Sequence, residues 1–252
     1  AAVASQALGA DIVVMLVVGI ATGMASALLM GVVVMRTIAL FFLILSLIVG
    51  QIVWEVVFHW REVTGGADGL RGFPVLTLHT GFATIPLNTG VALYLASLVL
   101  ALAAWLAARS FVNAPIGRAL LGTRERQLRM SALGYSIPRI RLMALVASGG
   151  IAGAAGALYP FVNQYVGPNA VHWTMSAMMI IMLVIGGVGS LYGAFIGSAI
   201  YLGIQTYVSS YTDRWQLVVG LVFVLTVMIM PKGVVAGLKA AFGRRPSEEG
   251  RS

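Results

Sequence analysis

Few side chains in this sequence could do chemistry. The chain has three histidines, far apart at His59, His79 and His172, no cysteine, and eight acids against sixteen lysines and arginines. It has no His-Glu-x-x-His zinc motif and no Gly-x4-Gly-Lys-Ser/Thr phosphate loop, so ATP hydrolysis by that route is excluded. No nucleophile stands at a readable spacing from a base. We therefore expect no catalytic residue, no metal site and no cofactor, and a protein that is not an enzyme. The side chains that could line a polar path are Ser46, Gln51, Glu55 and Gln205. Gln51 and Glu55 share one helix face, and Glu55 is the one acid within a span, near the outer end of its helix where water can reach it. Thr22, Ser26 and Ser176 are better read as hydroxyls bonded to their own helix backbone.

A second group is set by charge. Between Arg109 and Arg141 stand seven arginines (Arg109, Arg118, Arg124, Arg126, Arg129, Arg139, Arg141) against the single acid Glu125. Leu120, Leu121, Leu128 and Leu133 interleave with them. Pro115 suits the first turn of a short helix. Glu125 and Arg129 have the spacing of an i,i+4 pair, and Gly134 stands where a left-handed cap would end a second short helix. Ser136 and Pro138 then start the next long helix. This pattern fits short amphipathic helices that dock in a groove on a partner, or a basic surface on anionic lipid headgroups. The residues expected to carry docking are Arg118, Arg124, Glu125, Leu128, Arg129 and Gly134.

The elements that position both groups follow from composition. The chain is 60% hydrophobic and 10% charged, where a soluble domain carries about 25% charged residues. Uncharged runs cover 12–35, 37–54, 72–108, 142–212 and 215–231. A spanning helix needs about 17–25 apolar residues, and no period-two alternation points to a barrel. The fold expected is all-α, a polytopic transmembrane bundle of about seven segments. Spans fall at about 11–35, 37–58, 88–108 (Asn88 as N-cap), 137–159 and 215–230, with two short or broken segments within 174–207. The polar connection 59–87 carries Gly65, Gly66, Asp68 and Gly69, and Pro160 opens a further loop. Gly149 and Gly153, and Gly189, Gly193 and Gly197, recur at four-residue spacing for close helix packing or a sliding interface. Ala152 and Gly156 lie on a neighbouring row.

Orientation follows from the basic residues. With the arginine segment inside, Arg36, Lys232, Lys239, Arg244, Arg245 and Arg251 are also inside, and only Arg61, Arg71 and Arg214 fall outside. The N-terminus is then outside, for which a further span upstream is a simple explanation. Asp11 stands where a signal peptide would carry a basic n-region. Residues 1–242 read as one membrane domain and 243–252 as a polar tail.

Four ordered stretches carry a family resemblance. The run Pro115 to Tyr159 (Pro-Ile-Gly-Arg-Ala-Leu, then Arg-Glu-Arg, Ala-Leu-Gly-Tyr and Gly-Ile-Ala-Gly-Ala-Ala-Gly-Ala-Leu-Tyr) resembles the permease subunit of branched-chain amino acid ABC importers of the LivM type. Residues 64–70 (Thr-Gly-Gly-Ala-Asp-Gly-Leu), 186–193 (Gly-Gly-Val-Gly-Ser-Leu-Tyr-Gly) and 231–233 (Pro-Lys-Gly) agree in the same order. Arg126 departs from the Asn usual there, and the family usually has further N-terminal spans. The resemblance implies a permease in a bacterial inner membrane, translocating branched-chain or related amino acids. It also implies a second permease subunit, two cytoplasmic ABC ATPase subunits docked on the arginine segment, and a periplasmic substrate-binding protein. Membrane lipid is a further partner, and nucleic acid is not. The alternatives are a permease of the same family for urea or short amides, a stand-alone secondary transporter, and a non-transporting scaffold.

Overall fold

The computed structural model describes residues 11–34, 39–74, 76–79, 84–86, 89–212, 214–230, 233–235 and 237. Arg36, Asn88, Pro231, Lys232, Lys239, Arg244, Arg245, Arg251 and the polar tail lie outside the described residues. The helices are α1 (Ile12–Val34), α2 (Ala39–His59), α3 (Arg61–Thr64), α4 (Gly90–Asn113), α5 (Pro115–Glu125), α6 (Gln127–Ala132), α7 (Ile137–Asn163), α8 (Trp173–Gly186), α9 (Leu191–Ser209) and α10 (Trp215–Ile229). Four short strands join them: β1 (Leu70–Arg71), β2 (Thr77–His79), β3 (Thr84–Pro86) and β4 (Tyr165–Val166). The polar connection is thus more structured than a loop. The fold is all-α and polytopic, and among the described residues five helices are long and apolar enough to cross a membrane: Ile12–Val32, Phe41–His59, Gly90–Asn113, Ile137–Asn163 and Leu191–Ser209.

The two remaining apolar helices are shorter. At about 1.5 Å per residue, the 14 residues of α8 and 15 of α10 fall short of a hydrocarbon core about 30 Å thick. The sequence predicts two short or broken segments within 174–207, and α9 differs from that: it is 19 residues long. The reason is its start. Ser190 caps the helix, its Oγ accepting the Gly193 N–H at 3.1 Å, so the following glycines do not unravel it. The reading that Pro160 opens a loop is also corrected. α7 continues through Pro160 to Asn163. Pro160 and Phe161 are almost completely buried, and that packing offsets the one hydrogen bond the ring forfeits.

The chain divides into two compact units, residues 1–173 and 174–252. In the first, α1 and α7 pack most extensively, antiparallel. Gly19 and Gly23 on α1 meet Gly149 and Gly153 on α7: a Cβ on Gly153 would stand 3.0 Å from the Gly23 Cα, and one on Gly19 would stand 2.6 Å from the Gly153 carbonyl oxygen. The backbones touch, as a four-residue small-residue repeat allows. The Ala152–Gly156 row meets nothing comparable, since Gly156 faces open space. At the Asp11 end of α1, Met15, Phe73, Leu76, Leu158 and Phe161 form a buried apolar cluster. Phe73 and Leu76 come from the connection before α4, so their burial, about 1.5–3 kcal/mol each, pins that connection to α1 and α7.

In the second unit, α8 turns back into α9 through Gly187 and Gly189, both at positive φ. Gly186, Gly193 and Gly197 make the close crossing, a Cβ on Gly197 standing 2.8 Å from the Gly186 nitrogen. Gly189 belongs to the turn and not to this ladder: a Cβ there meets nothing within 4 Å. After α10, Gly233 packs on Gly186 and Gly187, and Tyr201 stands edge-on to Trp215 at 6.4 Å.

Candidate docking and pathway sites

The arginine segment is a built structure. Pro115 is the first residue of α5, with Ala114 at the N-cap position. Gly117, Ala119 and Thr123 are the buried side of that helix. At Gly117 the end of α4 presses so close that a Cβ would stand 2.6 Å from the Val112 Cα. Arg118, Leu121, Arg124 and Glu125 face away, exposed. The chain breaks helix at Arg126 (φ −145°) and resumes as α6. This break overturns the expected Glu125–Arg129 pair. Spacing of four brings side chains together only on a continuous helix, and here neither residue makes an ion pair among the described residues.

Two contacts fix α6 instead. The Arg141 Nη2 donates to the Gln127 Oε1 at 3.1 Å, tying its first residue to α7. At its other end Gly134 takes φ +84°, and the Gly134 and Tyr135 N–H groups donate to the Ser131 and Met130 carbonyls at 3.0 and 3.1 Å. That is a Schellman cap, and it turns the chain straight into α7, where Ser136 is the N-cap residue and Pro138 lies in the first turn. Between these anchors Leu128 is 86% exposed and Leu133 71%, with Arg129 exposed beside them. The result is a stiff apolar-and-basic ridge. Arg109 is set apart from it, stacked over the Trp105 ring at 5.2 Å.

At the opposite end of the first unit the Gly65–Gly69 stretch forms an ordered turn. Gly65, Gly66 and Gly69 have φ +73°, +59° and +67°, and Asp68 is exposed at the end of the short 3-10 turn. The Thr64 hydroxyl lies 2.6 Å from the Val57 carbonyl and 2.7 Å from that of Trp60. Gly69 leads into β1, which pairs antiparallel with β4. Arg71 faces Tyr165 in that register and lies over its ring at 5.2 Å.

The four path candidates divide. The Ser46 hydroxyl donates to the Leu43 carbonyl at 2.9 Å, satisfied by its own helix. Gln51 and Glu55 are exposed on α2, and the Glu55 carboxylate lies 3.3 Å from the His59 Nδ1. Gln205 is half-buried on α9, in the second unit. Beside Glu55 stands an aromatic group that the sequence alone does not single out. Trp54 stacks on Phe58 at 5.1 Å, and the His172 ring meets Trp54 edge-on at 5.5 Å. Trp54 and Phe58 carry an i,i+4 signal, but nothing in the sequence points to His172. The Gly19–Gly23 spacing was equally legible, whereas the Gln127–Arg141 link joins residues that no periodicity relates. Among the described residues no three His, Asp or Glu side chains gather as a metal site.

The chain is similar to the high-affinity branched-chain amino acid transport system permease protein LivM of Salmonella typhimurium and of Escherichia coli K12. Each is 26% identical over 230 residues, 84% of this chain and 54% of the relative. It is also similar to the permease protein LivH of Escherichia coli K12, 32% identical over 127 residues, 48% of this chain and 39% of the relative. The chain thus spans about half the length of the LivM proteins it matches. No solved structure matches it. A family model for the permease component of branched-chain amino acid transport systems matches residues 1–229. A match over nearly the whole described membrane bundle, with the capped arginine segment inside it, leads to one assignment: the chain belongs to the branched-chain amino acid transport system permease family.

Proposed function

We propose that this chain is the membrane-spanning subunit of an ABC importer for branched-chain or related amino acids, powered by separate ATPase subunits. The observation that carries the proposal is the family match over residues 1–229. The capped ridge supports it. A permease driven by ATPases on one face needs a stiff element between them and the spans. Here α5 is pressed on α4, and α6 passes through Gly134 directly into α7. The docking residues are Arg118, Arg124, Glu125, Leu128 and Arg129, with Gly134 holding the geometry. Residues 1–242 act as one permease domain with 243–252 as its tail.

The membrane is a bacterial inner membrane. The arginine segment and the C-terminus are cytoplasmic, by the excess of basic residues on that side. The Gly65–Gly69 turn and the β1–β4 pair are then external, where a periplasmic binding protein delivers substrate. The partners are a second permease subunit, two ATPase subunits and that binding protein, in contact with membrane lipid. Substrate passes Gln51 and Glu55, with Ser46 contributing less because its hydroxyl is spent on its own helix; Gln205 is a separate path candidate within the second unit. The test is uptake of radiolabelled leucine into proteoliposomes containing this chain with its ATPase and binding-protein partners. Uptake should require internal or external ATP on the ATPase side only, and all partners. Uptake by the chain alone, driven by an ion gradient, would overturn the reading.

A further inference from the structure

One stripe in the membrane region is chemically out of place. Gln51, Glu55 and His59 recur every fourth residue along α2, so they form one row. The row lies in the span Phe41–His59, none of whose apolar window is buried by the rest of the structure. Glu55 and His59 are 55% and 67% exposed and lie 3.3 Å apart. At about 1.5 Å of rise per residue, Gln51 stands roughly 12 Å below His59 along the helix. Glu55 is the one carboxylate on any of the seven apolar helices described. An exposed carboxylate facing hydrocarbon is costly, so acids in spans face water or protein. The neighbouring row on the same helix is not lipid-like either. It carries the Trp54–Phe58 stack, with His172 packed edge-on against Trp54. A carboxylate and an amide on one row, next to a half-buried aromatic shelf on the other, offer a charged acceptor beside an apolar surface.

We propose that the Gln51–Glu55–His59 row lines the water-filled outer mouth of the pathway, and that Glu55 takes the ammonium group of an amino acid whose apolar side chain rests on Trp54 and Phe58. This rests on the permease reading and deepens it. The chemistry is an exchange of partners with no covalent step. The Glu55 carboxylate, 3.3 Å from a His59 Nδ1 that also lies 3.1 Å from the Glu55 backbone carbonyl oxygen, turns to the substrate's N–H donors, a charge-assisted set of hydrogen bonds, and Gln51 supplies the next polar group one turn inward. Val53, at nearly the same depth but about 200° around the helix from Gln51, faces lipid.

These 252 residues contain no cysteine, so single thiols can be placed without background from them. The assembled transporter is prepared in sealed, right-side-out vesicles with Gln51→Cys or Val53→Cys. Each thiol is treated with membrane-impermeant methanethiosulfonates bearing a trimethylammonium or a sulfonate. Labelling of this subunit is followed, and total thiol is titrated after denaturation. Gln51→Cys should label and Val53→Cys should not. With every rate taken relative to that reagent's rate on a free thiol in solution, the cationic reagent should react about tenfold faster than the anionic one, because Glu55 is a neighbour one turn away. Adding Glu55→Gln should abolish that preference, and leucine delivered by the binding protein should slow the labelling. An unreactive Gln51→Cys whose thiol titrates after denaturation would overturn the proposal, placing the row against lipid or a second permease chain. Equal rates for the two reagents with Glu55 intact would overturn the assignment of Glu55. Failure of the permease reading shows separately, as a complex that labels as described but takes up no substrate with ATP.

Discussion

Leu128→Ala separates docking from folding. Leu128 is 86% exposed, so the fold gains almost nothing from its side chain, and Ala is at least as good a helix former at this position in α6. Equilibrium unfolding of the purified chain in mixed micelles should therefore move by less than about 0.5 kcal/mol. If the ridge docks on an ATPase, the same side chain passes from water into an apolar pocket. Full burial of a leucine is worth about 1.5–3 kcal/mol, of which Ala retains a small part, so the loss is about 2 kcal/mol. At about 1.4 kcal/mol per factor of ten, the ATPase should bind about 30-fold more weakly. The assay is titration of the purified ATPase onto the chain in nanodiscs, read by a fluorophore on the ATPase. Unchanged affinity would refute the assignment of Leu128 to the interface. Unchanged affinity together with lost stability would show that Leu128 packs inside the permease, contrary to its exposure.

Other substitutions test the rest of the argument. Met130→Pro breaks α6 itself, forfeiting the bond from the Met130 N–H to the Arg126 carbonyl at 3.3 Å at a cost of about 3 kcal/mol; uptake by the complete transporter should be abolished while the chain still inserts, and normal uptake would remove the lever from the proposal. Gly153→Ala puts a methyl against the α1 backbone, 3.0 Å from the Gly23 Cα, and should destabilise the chain by about 1–3 kcal/mol. Gly156→Ala, three residues on and facing open space, should instead stabilise it by about 0.5–1 kcal/mol; the two signs, measured in the same unfolding assay, check the crossing. At Gly69, φ +67° and a Cβ that would stand 2.5 Å from the Val166 carbonyl oxygen make alanine costly by about 1–3 kcal/mol; Gly69→Ala should raise amide exchange locally at Leu70, Arg71 and Val166 and leave α4 unchanged.

The sequence by itself determined the class of this protein. Long uncharged runs are a linear property, and hydrocarbon admits a helix wherever one is long enough. Capping signals are equally local: Pro115, Ser136 and Gly134 act through their own backbone, so the starts of α5 and α7 and the end of α6 were legible. What sequence could not deliver was anything set by a partner distant along the chain. The Glu125–Arg129 spacing promised an ion pair, but the break at Arg126 rotates one residue away from the other. Pro160 reads as a helix end because its lost hydrogen bond is local, while what holds α7 together there is burial, its own and that of Phe161 in the cluster with Met15, Phe73 and Leu76. Gly149 and Gly153 were visible as small residues, and only the tertiary structure showed that Gly19 and Gly23 meet them while Gly156 meets nothing. The row of Gln51, Glu55 and His59 could be read from the sequence as a shared face. That the face is uncovered, next to an aromatic shelf completed by His172, is a matter of packing. Packing joins residues that no period relates.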